Sequence, residues 1–256
     1  MECIPWVVFA KIKKIYEKRL TKKFSLCIIK SRRNHRKQVN QLMHMRKKKN
    51  RDTRLERVQG YFAKTNEEGA VLLDETFSEQ GELYLEIGCG KGAFITELSR
   101  RVEGKRLLAV ELITDALLMA MEKCAAEDCK NLMFLNANAE KIHQILPPHS
   151  VSRLYLNFSD PWPKNRDREK RLTSCTFLEK YKQILAPGAR ICFKTDNRPL
   201  FDFSLQTFPA SGFVLENVCF DLHNDPMNET NIETEYERKF SEKGFTINRL
   251  EAYLPL

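Results

Sequence analysis

From Glu82 onward, short apolar runs alternate with longer stretches in which apolar residues recur every three or four positions. Leu83–Ile87 is an apolar run that stops at a glycine-rich turn. Ala93–Arg101 then places Phe94, Ile95 and Leu98 on one helical face. The same alternation predicts a strand at 106–110 and a helix over Thr114–Ala126, then a strand at 131–135 and a short helix around 140–146. A strand at Val151–Asn157 leads into a long polar loop and a helix at 176–185, whose end is marked by Pro187-Gly188. A strand at 190–195 and a helix at 199–208 follow. Segments 213–222 and 245–253 read as terminal strands, antiparallel to the others. This rhythm predicts an α/β fold, a doubly wound and mostly parallel sheet. In such sheets ligands bind outside the carboxyl ends of the strands, so those ends are where chemistry is expected.

The 256 residues fit one α/β domain with an appendage, and the 42% hydrophobic content is enough to bury a core. Charge marks the appendage. Of the 43 Lys and Arg, 17 fall within residues 1–51 against two acids, Glu2 and Glu17; the rest of the chain holds 26 bases and 32 acids. The net charge of +9 is therefore an N-terminal property, and an RNA partner of the body would need a local basic patch. Residues 1–44 form a basic N-terminal extension ahead of a domain at 45–256. Three readings of it stay open: a basic amphipathic helix carrying Val8, Phe9, Ile12, Ile15, Tyr16 and Leu20; a disordered tail; or an upstream extension, since Met43 and Met45 are plausible internal starts.

The eight cysteines contain no C-x-x-C pair and no adjoining His cluster, which points to free thiols in a reducing compartment instead of a metal site or a disulfide framework. The apolar run at 4–10 falls far short of the ~18 residues a membrane span needs. It also lacks the flanks of a signal peptide. A cytoplasmic protein with no membrane contact is expected.

At the first strand end stands Glu86-Ile87-Gly88-Cys89-Gly90-Lys91-Gly92. Gly88 and Gly90 let the backbone turn and approach a ligand. Glu111, at the second strand end, lies where an acid can accept from ribose hydroxyls. Asn138, after the third, can reach an adenine edge; its alternative role is a helix N-cap. The third glycine comes one residue earlier than in the dinucleotide fingerprint. A carboxylate before the first glycine suits a cationic ligand better than a pyrophosphate, which favours S-adenosyl-L-methionine.

The fourth strand runs into Asn157-Phe158-Ser159-Asp160-Pro161-Trp162-Pro163-Lys164. Arg166, Asp167, Arg168, Glu169, Lys170 and Arg171 follow, so 163–171 holds five bases and two acids, a composition suited to phosphates. Asp196 sits at the fifth strand end. Thr234, Glu235, Tyr236 and Glu237 could equally be a capping box, with Thr234 as N-cap and Glu237 as its partner.

Together EIGCGKG, NFSDPWPK, FKTDN and TEYE, in this order, resemble the bacterial tRNA (guanine-N7-)-methyltransferases over residues 54–253. The resemblance implies a Rossmann-like class I methyltransferase fold, with a mostly parallel seven-stranded sheet and helices on both faces. It implies S-adenosyl-L-methionine as cofactor and guanosine 46 of the tRNA variable loop as substrate. It further implies cofactor contacts at Glu86, Gly88, Gly90, Glu111, Asn138 and Asp160, with Asp160 also the catalytic residue. Substrate contacts fall at Lys164, Asp196, Thr234, Glu235, Tyr236 and Glu237, and RNA contacts at 166–171. The family often has Asp where this chain has Asn138, and residues 1–44 have no counterpart in it. No protein partner is implied, and the oligomeric state is left open. Two rivals remain. Asp160-Pro161-Trp162 is similar to the Asp/Asn-Pro-Pro-aromatic loop of enzymes that methylate exocyclic or amide nitrogens, although Trp162 replaces the second proline. A non-catalytic RNA-binding module with a fossil cofactor pocket is the other.

Overall fold

The computed structural model describes residues 50–255. The chain divides into two units, Met1–Arg46 and Lys47–Leu256. The readings of the basic extension and its internal methionines fall outside the described residues.

The second unit opens with α1 (Arg51–Val58) and the single turn α2 (Leu73–Thr76). Strand β1 (Leu83–Ile87), α3 (Ala93–Arg101), β2 (Arg106–Glu111), α4 (Thr114–Ala126) and β3 (Leu132–Asn136) form the first half of the sheet. The second half contains α5 (Ile142–Ile145), β4 (Val151–Asn157), α6 (Cys175–Ile184), β5 (Leu185–Thr195), α7 (Arg198–Ala210), β6 (Val214–Cys219), α8 (Glu235–Ser241) and β7 (Asn248–Tyr253). The seven strands lie in the order β3-β2-β1-β4-β5-β7-β6. Strands β1 to β5 pair in parallel, and β7 is antiparallel to both β5 and β6. Only β7 is therefore reversed. Strand β6 runs with the parallel set, which corrects the expectation that both terminal strands run against it.

Alternation along each strand splits the core. Leu83, Leu85, Leu108, Val110, Leu154, Leu156, Ile191 and Phe193 pack with residues of α6 and α7 on one face. Leu107, Ala109, Leu132 and Phe134 pack with residues of α3 and α4, and with Val58 of α1, on the other. Helices thus cover both faces, as the fold class requires.

The Pro187-Gly188 pair does not separate helix from strand. Leu185 already pairs with Val151, and the register then jumps so that Arg190 faces Arg153. The pair is an excursion within the strand, with Gly188 at φ 75°. Among the described residues all six cysteines are free, and five of them are buried. Among the same residues, no helix is long and apolar enough to cross a membrane.

Leu85 is fully buried between strands and helices, whereas Leu112 is 60% exposed. Leu85→Ala is expected to lower the unfolding free energy by about 2–5 kcal/mol. Leu112→Ala should change it by less than ~0.5 kcal/mol. Urea midpoints at unchanged slope measure both.

Candidate cofactor and substrate site

The parallel strands deliver their last residues to one edge of the sheet, and the predicted acids stand there. Glu86, next to last in β1, is 2% exposed. Its Oε1 accepts from Asn157 Nδ2 at 2.9 Å, while Oε2 is buried with no partner. Burial pushes its carboxyl up to about 7; the Glu111 charge adds to this, while Asn157 and the Lys194 ammonium oppose it. A buried acid with one unsatisfied oxygen suits a cationic ligand group.

The turn after β1 holds Gly88, Gly90 and Gly92 at φ 79°, 56° and 76°. At Gly92 a Cβ would sit 2.7 Å from the Ala120 Cβ, so glycine there lets α3 approach α4. At Gly90 a Cβ would meet nothing within 4 Å. The demand there is for the left-handed backbone. That backbone presents its N–H to Glu111 Oε2 at 2.9 Å, and Glu111 Oε1 accepts from Ile113 N at 2.8 Å. Each oxygen keeps a second lone pair for a ligand hydroxyl. Burial raises the Glu111 carboxyl despite these backbone bonds.

Asn138 is exposed and caps the following 3-10 turn, accepting from Glu140 N at 2.9 Å. A role the sequence reading missed belongs to Asn136. Its amide donates to Glu111 O at 2.8 Å and Leu112 O at 3.0 Å, and its oxygen accepts from Thr114 Oγ1 at 2.9 Å. This fixes the β2 loop, which offers the exposed apolar Leu112 beside Glu111. An apolar residue directly after a strand-terminal acid was the available signal.

The loop after β4 carries Asp160 between two left-handed non-glycine residues, Phe158 at φ 52° and Trp162 at φ 40°. Such strain costs of order 1–3 kcal/mol per residue and persists where the surroundings impose it. Phe158 N donates to Lys194 O at 2.9 Å. Arg171 donates from Nε to Pro161 O at 3.0 Å and from Nη2 to Trp162 O at 3.1 Å, and its guanidinium lies 4.3 Å from the centre of the Phe203 ring. Arg171, which the resemblance groups with the RNA contacts, is thus spent on clamping this loop. The Asp160 charge reaches both Glu111 and Tyr236, helping to raise each.

Residues 165–170 form a 3-10 turn; Arg166, Arg168 and Lys170 in it, and Lys164 just before it, are exposed. Its acids serve as internal counter-ions. Asp167 accepts from Lys170 Nζ at 3.0 Å. Glu169 accepts from Arg168 at 3.1 Å and from Thr176 Oγ1 at 2.7 Å. The Lys170 ammonium lies 4.9 Å from the centre of the Trp162 ring, covering one of its faces.

Asp196 faces Tyr236, whose hydroxyl lies 3.4 and 3.5 Å from its two oxygens. Burial first, and Asp196 second, raise that phenol. Tyr236 stacks on Phe240 at 4.2 Å and tilts against Phe158 at 5.0 Å. Thr234 and Glu237 form the capping box, and Glu237 is fully buried. Its Oε2 accepts from Lys194 Nζ at 2.7 Å and faces Thr234 N at 3.5 Å. His223 Nε2 at 2.9 Å and Asn231 Nδ2 at 2.7 Å reach Oε1. Burial works to raise the Glu237 carboxyl, but the Lys194 ammonium and the hydrogen bonds from His223 and Asn231 together hold it below its ordinary value. Glu235 is exposed and accepts from Lys123 at 3.1 Å. Of the four residues, then, Tyr236 meets the rim acid, while Thr234 and Glu237 serve the fold. A cavity of about 380 Å³ lies elsewhere, between α3, α4 and the 231–238 segment, and none of Glu86, Glu111, Asp160 or Asp196 lines it.

A methyltransferase family model, Methyltransf_4, matches residues 80–250. The chain is 46% identical over 179 residues to a tRNA (guanine-N(7)-)-methyltransferase of Lachnoclostridium phytofermentans, covering 70% of this chain and 84% of the relative. A protein of the same name from Brevibacillus brevis is 42% identical over 178 residues, covering 70% and 83%. Among solved structures, the 16S rRNA methyltransferase KamB is similar in fold, with a TM-score of 0.56 at 18% identity over 72% of this chain and 93% of KamB. A family match over residues 80–250 and relatives more than 40% identical across 70% of the chain lead to one assignment: the chain belongs to the tRNA (guanine-N(7)-)-methyltransferase family.

Proposed function

We propose that this enzyme transfers the methyl group of S-adenosyl-L-methionine to N7 of guanosine 46 in the variable loop of tRNA. The observation that carries the cofactor assignment is Glu86, a buried acid beside a glycine turn with one oxygen unpartnered. Its chemistry fits a ligand with a cationic end and no phosphate. Glu86 would hold that end, Glu111 the ribose hydroxyls, and Leu112 and Asn138 the adenine. When bound, the cofactor supplies a methyl carbon already activated by its sulfonium.

Guanine N7 presents an in-plane lone pair, so the N7–methyl bond forms as the sulfur–methyl bond breaks and no proton has to leave first. Positioning is then the protein's main task, worth up to ~7–11 kcal/mol. The purine gains positive charge on transfer, and Asp160 is the carboxylate held at the loop to stabilise it. Asp196, with Tyr236 beside it, is suited to accept from guanine N1–H and N2–H, donors that adenine lacks. Glu237 has its lone pairs occupied by Lys194, Thr234, His223 and Asn231, so it acts through the fold. Lys164 is exposed next to the Asp160 loop and suits O6 or a phosphate. The basic turn at 166–170 supports RNA contact, and the base leaves its stack to enter the site. Work on tRNA, together with free buried thiols, supports a cytoplasmic location.

Asp160→Ala is expected to cut the rate of transfer about 100-fold or more while tRNA affinity largely survives. Gel-shift titration beside single-turnover kinetics measures the two, and an equal loss of both refutes the catalytic role. Arg168→Ala should weaken tRNA binding and reduce the slope of log affinity against log salt by about 0.7–0.9. An unchanged slope removes Arg168 from the phosphate contacts. The deciding experiment gives labelled S-adenosyl-L-methionine and unmodified tRNA to the enzyme and identifies the modified nucleoside. Label in 7-methylguanosine, lost when guanosine 46 is replaced by adenosine, is the expected result. Label in another nucleoside overturns the substrate.

A further inference from the structure

Lys194 is the one residue of β5 whose charge is shut inside the molecule at the site edge; it is 5% exposed. Its ammonium donates to Glu237 Oε2 at 2.7 Å, Asn231 Oδ1 at 2.9 Å and Ile232 O at 2.9 Å, which uses all three of its hydrogens. The rings of Phe94 and Phe158 lie 5.6 and 5.7 Å away. All three acceptors belong to the segment that carries Tyr236 to Asp196. On its other side Lys194 is the register partner of Asn157 on β4, and the Asn157 amide donates to Glu86 Oε1 at 2.9 Å. Neighbouring strands lie about 4.8 Å apart. Glu86, Asn157, Lys194 and Glu237 therefore form a row across β1, β4, β5 and α8 that joins the cofactor acid to the substrate-side segment.

We propose that Lys194 is a positioning residue shared by both halves of the site: it anchors the 231–237 segment and, from two strands away, keeps the buried Glu86 carboxylate charged for the cofactor's cationic end. The proposal rests on the reading of Glu86 as the acid that receives the cofactor. The charged groups acting on Glu86 are Lys194 and Glu111 from β2, and the Glu86 charge in turn raises the Cys89 thiol in the turn. Burial has pushed Glu86 up to about 7, and Lys194 is the cation that works against that rise. Cofactor affinity should therefore climb as pH rises through about 7 and Glu86 loses its proton. Without the ammonium the climb should come at higher pH.

The test is calorimetric titration of the full-length protein with S-adenosyl-L-methionine between about pH 5.5 and 9, alongside tRNA KM and kcat. Lys194→Gln, which retains amide donors for the freed acceptors, is expected to move the midpoint of the affinity profile upward by about one pH unit, within the usual range of single-charge effects. It should also raise tRNA KM about tenfold, an effect of the size of one lost charge-assisted contact. Lys194→Arg should restore the midpoint. Glu237→Gln removes the charge partner that opposes the burial-driven fall of the Lys194 ammonium, so it should raise tRNA KM as well. A midpoint unchanged in folded Lys194→Gln, or left raised in folded Lys194→Arg, overturns the proposal. If Glu86→Gln binds the cofactor as tightly as the wild type at every pH, the reading of Glu86 itself fails, and that failure is distinguishable because it appears with Lys194 intact.

Discussion

Five parallel strands end at one edge of the sheet, and that edge must carry several acids in little space. Glu86, Glu111, Asp160 and Asp196 all stand at strand ends or just beyond them. Burial raises the cost of ionising Glu86 and Glu111, and a neighbouring acid adds to it, Glu111 for Glu86 and Asp160 for Glu111. Much of the local architecture offsets this crowding. Glu111 takes two backbone N–H groups from the loops it joins, Glu86 takes the Asn157 amide, and the Lys194 ammonium lies buried in the row beyond it. The balance is left incomplete at Glu86 Oε2, the point at which a cationic ligand is of most use.

The loop after β4 shows how backbone strain and side-chain ties work together. Phe158 and Trp162 take left-handed conformations that neither would choose alone. Phe158 is held by a hydrogen bond to β5, and Pro161 and Trp162 by the Arg171 guanidinium. Asp160 stands between these fixed points, so its carboxylate position is set from both sides. The arrangement gives Arg171 a different job from its neighbours in the same basic run. Arg166, Arg168 and Lys170 face solvent; Arg171 faces the loop.

Much of the fold was legible from hydrophobic period. The helices Ala93–Arg101 and Thr114–Ala126 and the strands Leu83–Ile87 and Val151–Asn157 have the bounds that the pattern predicts. Less was legible where pairing overrides local preference. A Pro-Gly pair reads as a break, yet Leu185 on its near side is already paired with Val151, because a neighbouring strand can hold an irregular segment that no local rule would extend. The direction of β6 was illegible for the same reason: orientation depends on which strand lies beside it, and β7 inserts between β5 and β6.

The candidate site divides along the same line. The sequence by itself determined which residue types stand at which strand ends, because strand and loop follow local period and the parallel topology then fixes the edge. Glu86, Gly90, Glu111, Asp160 and Asp196 were all named on that basis. Only the tertiary structure decided what each side chain does there. Glu237 and Tyr236 are adjacent in sequence, yet one is sealed against Lys194 and His223 while the other meets Asp196. Asn136 ties two strand ends together, and Lys194 ties β5 to a segment about forty residues later. Such roles depend on distances between residues far apart in the chain, and on which lone pairs and hydrogens other groups have already taken, and no local pattern encodes either.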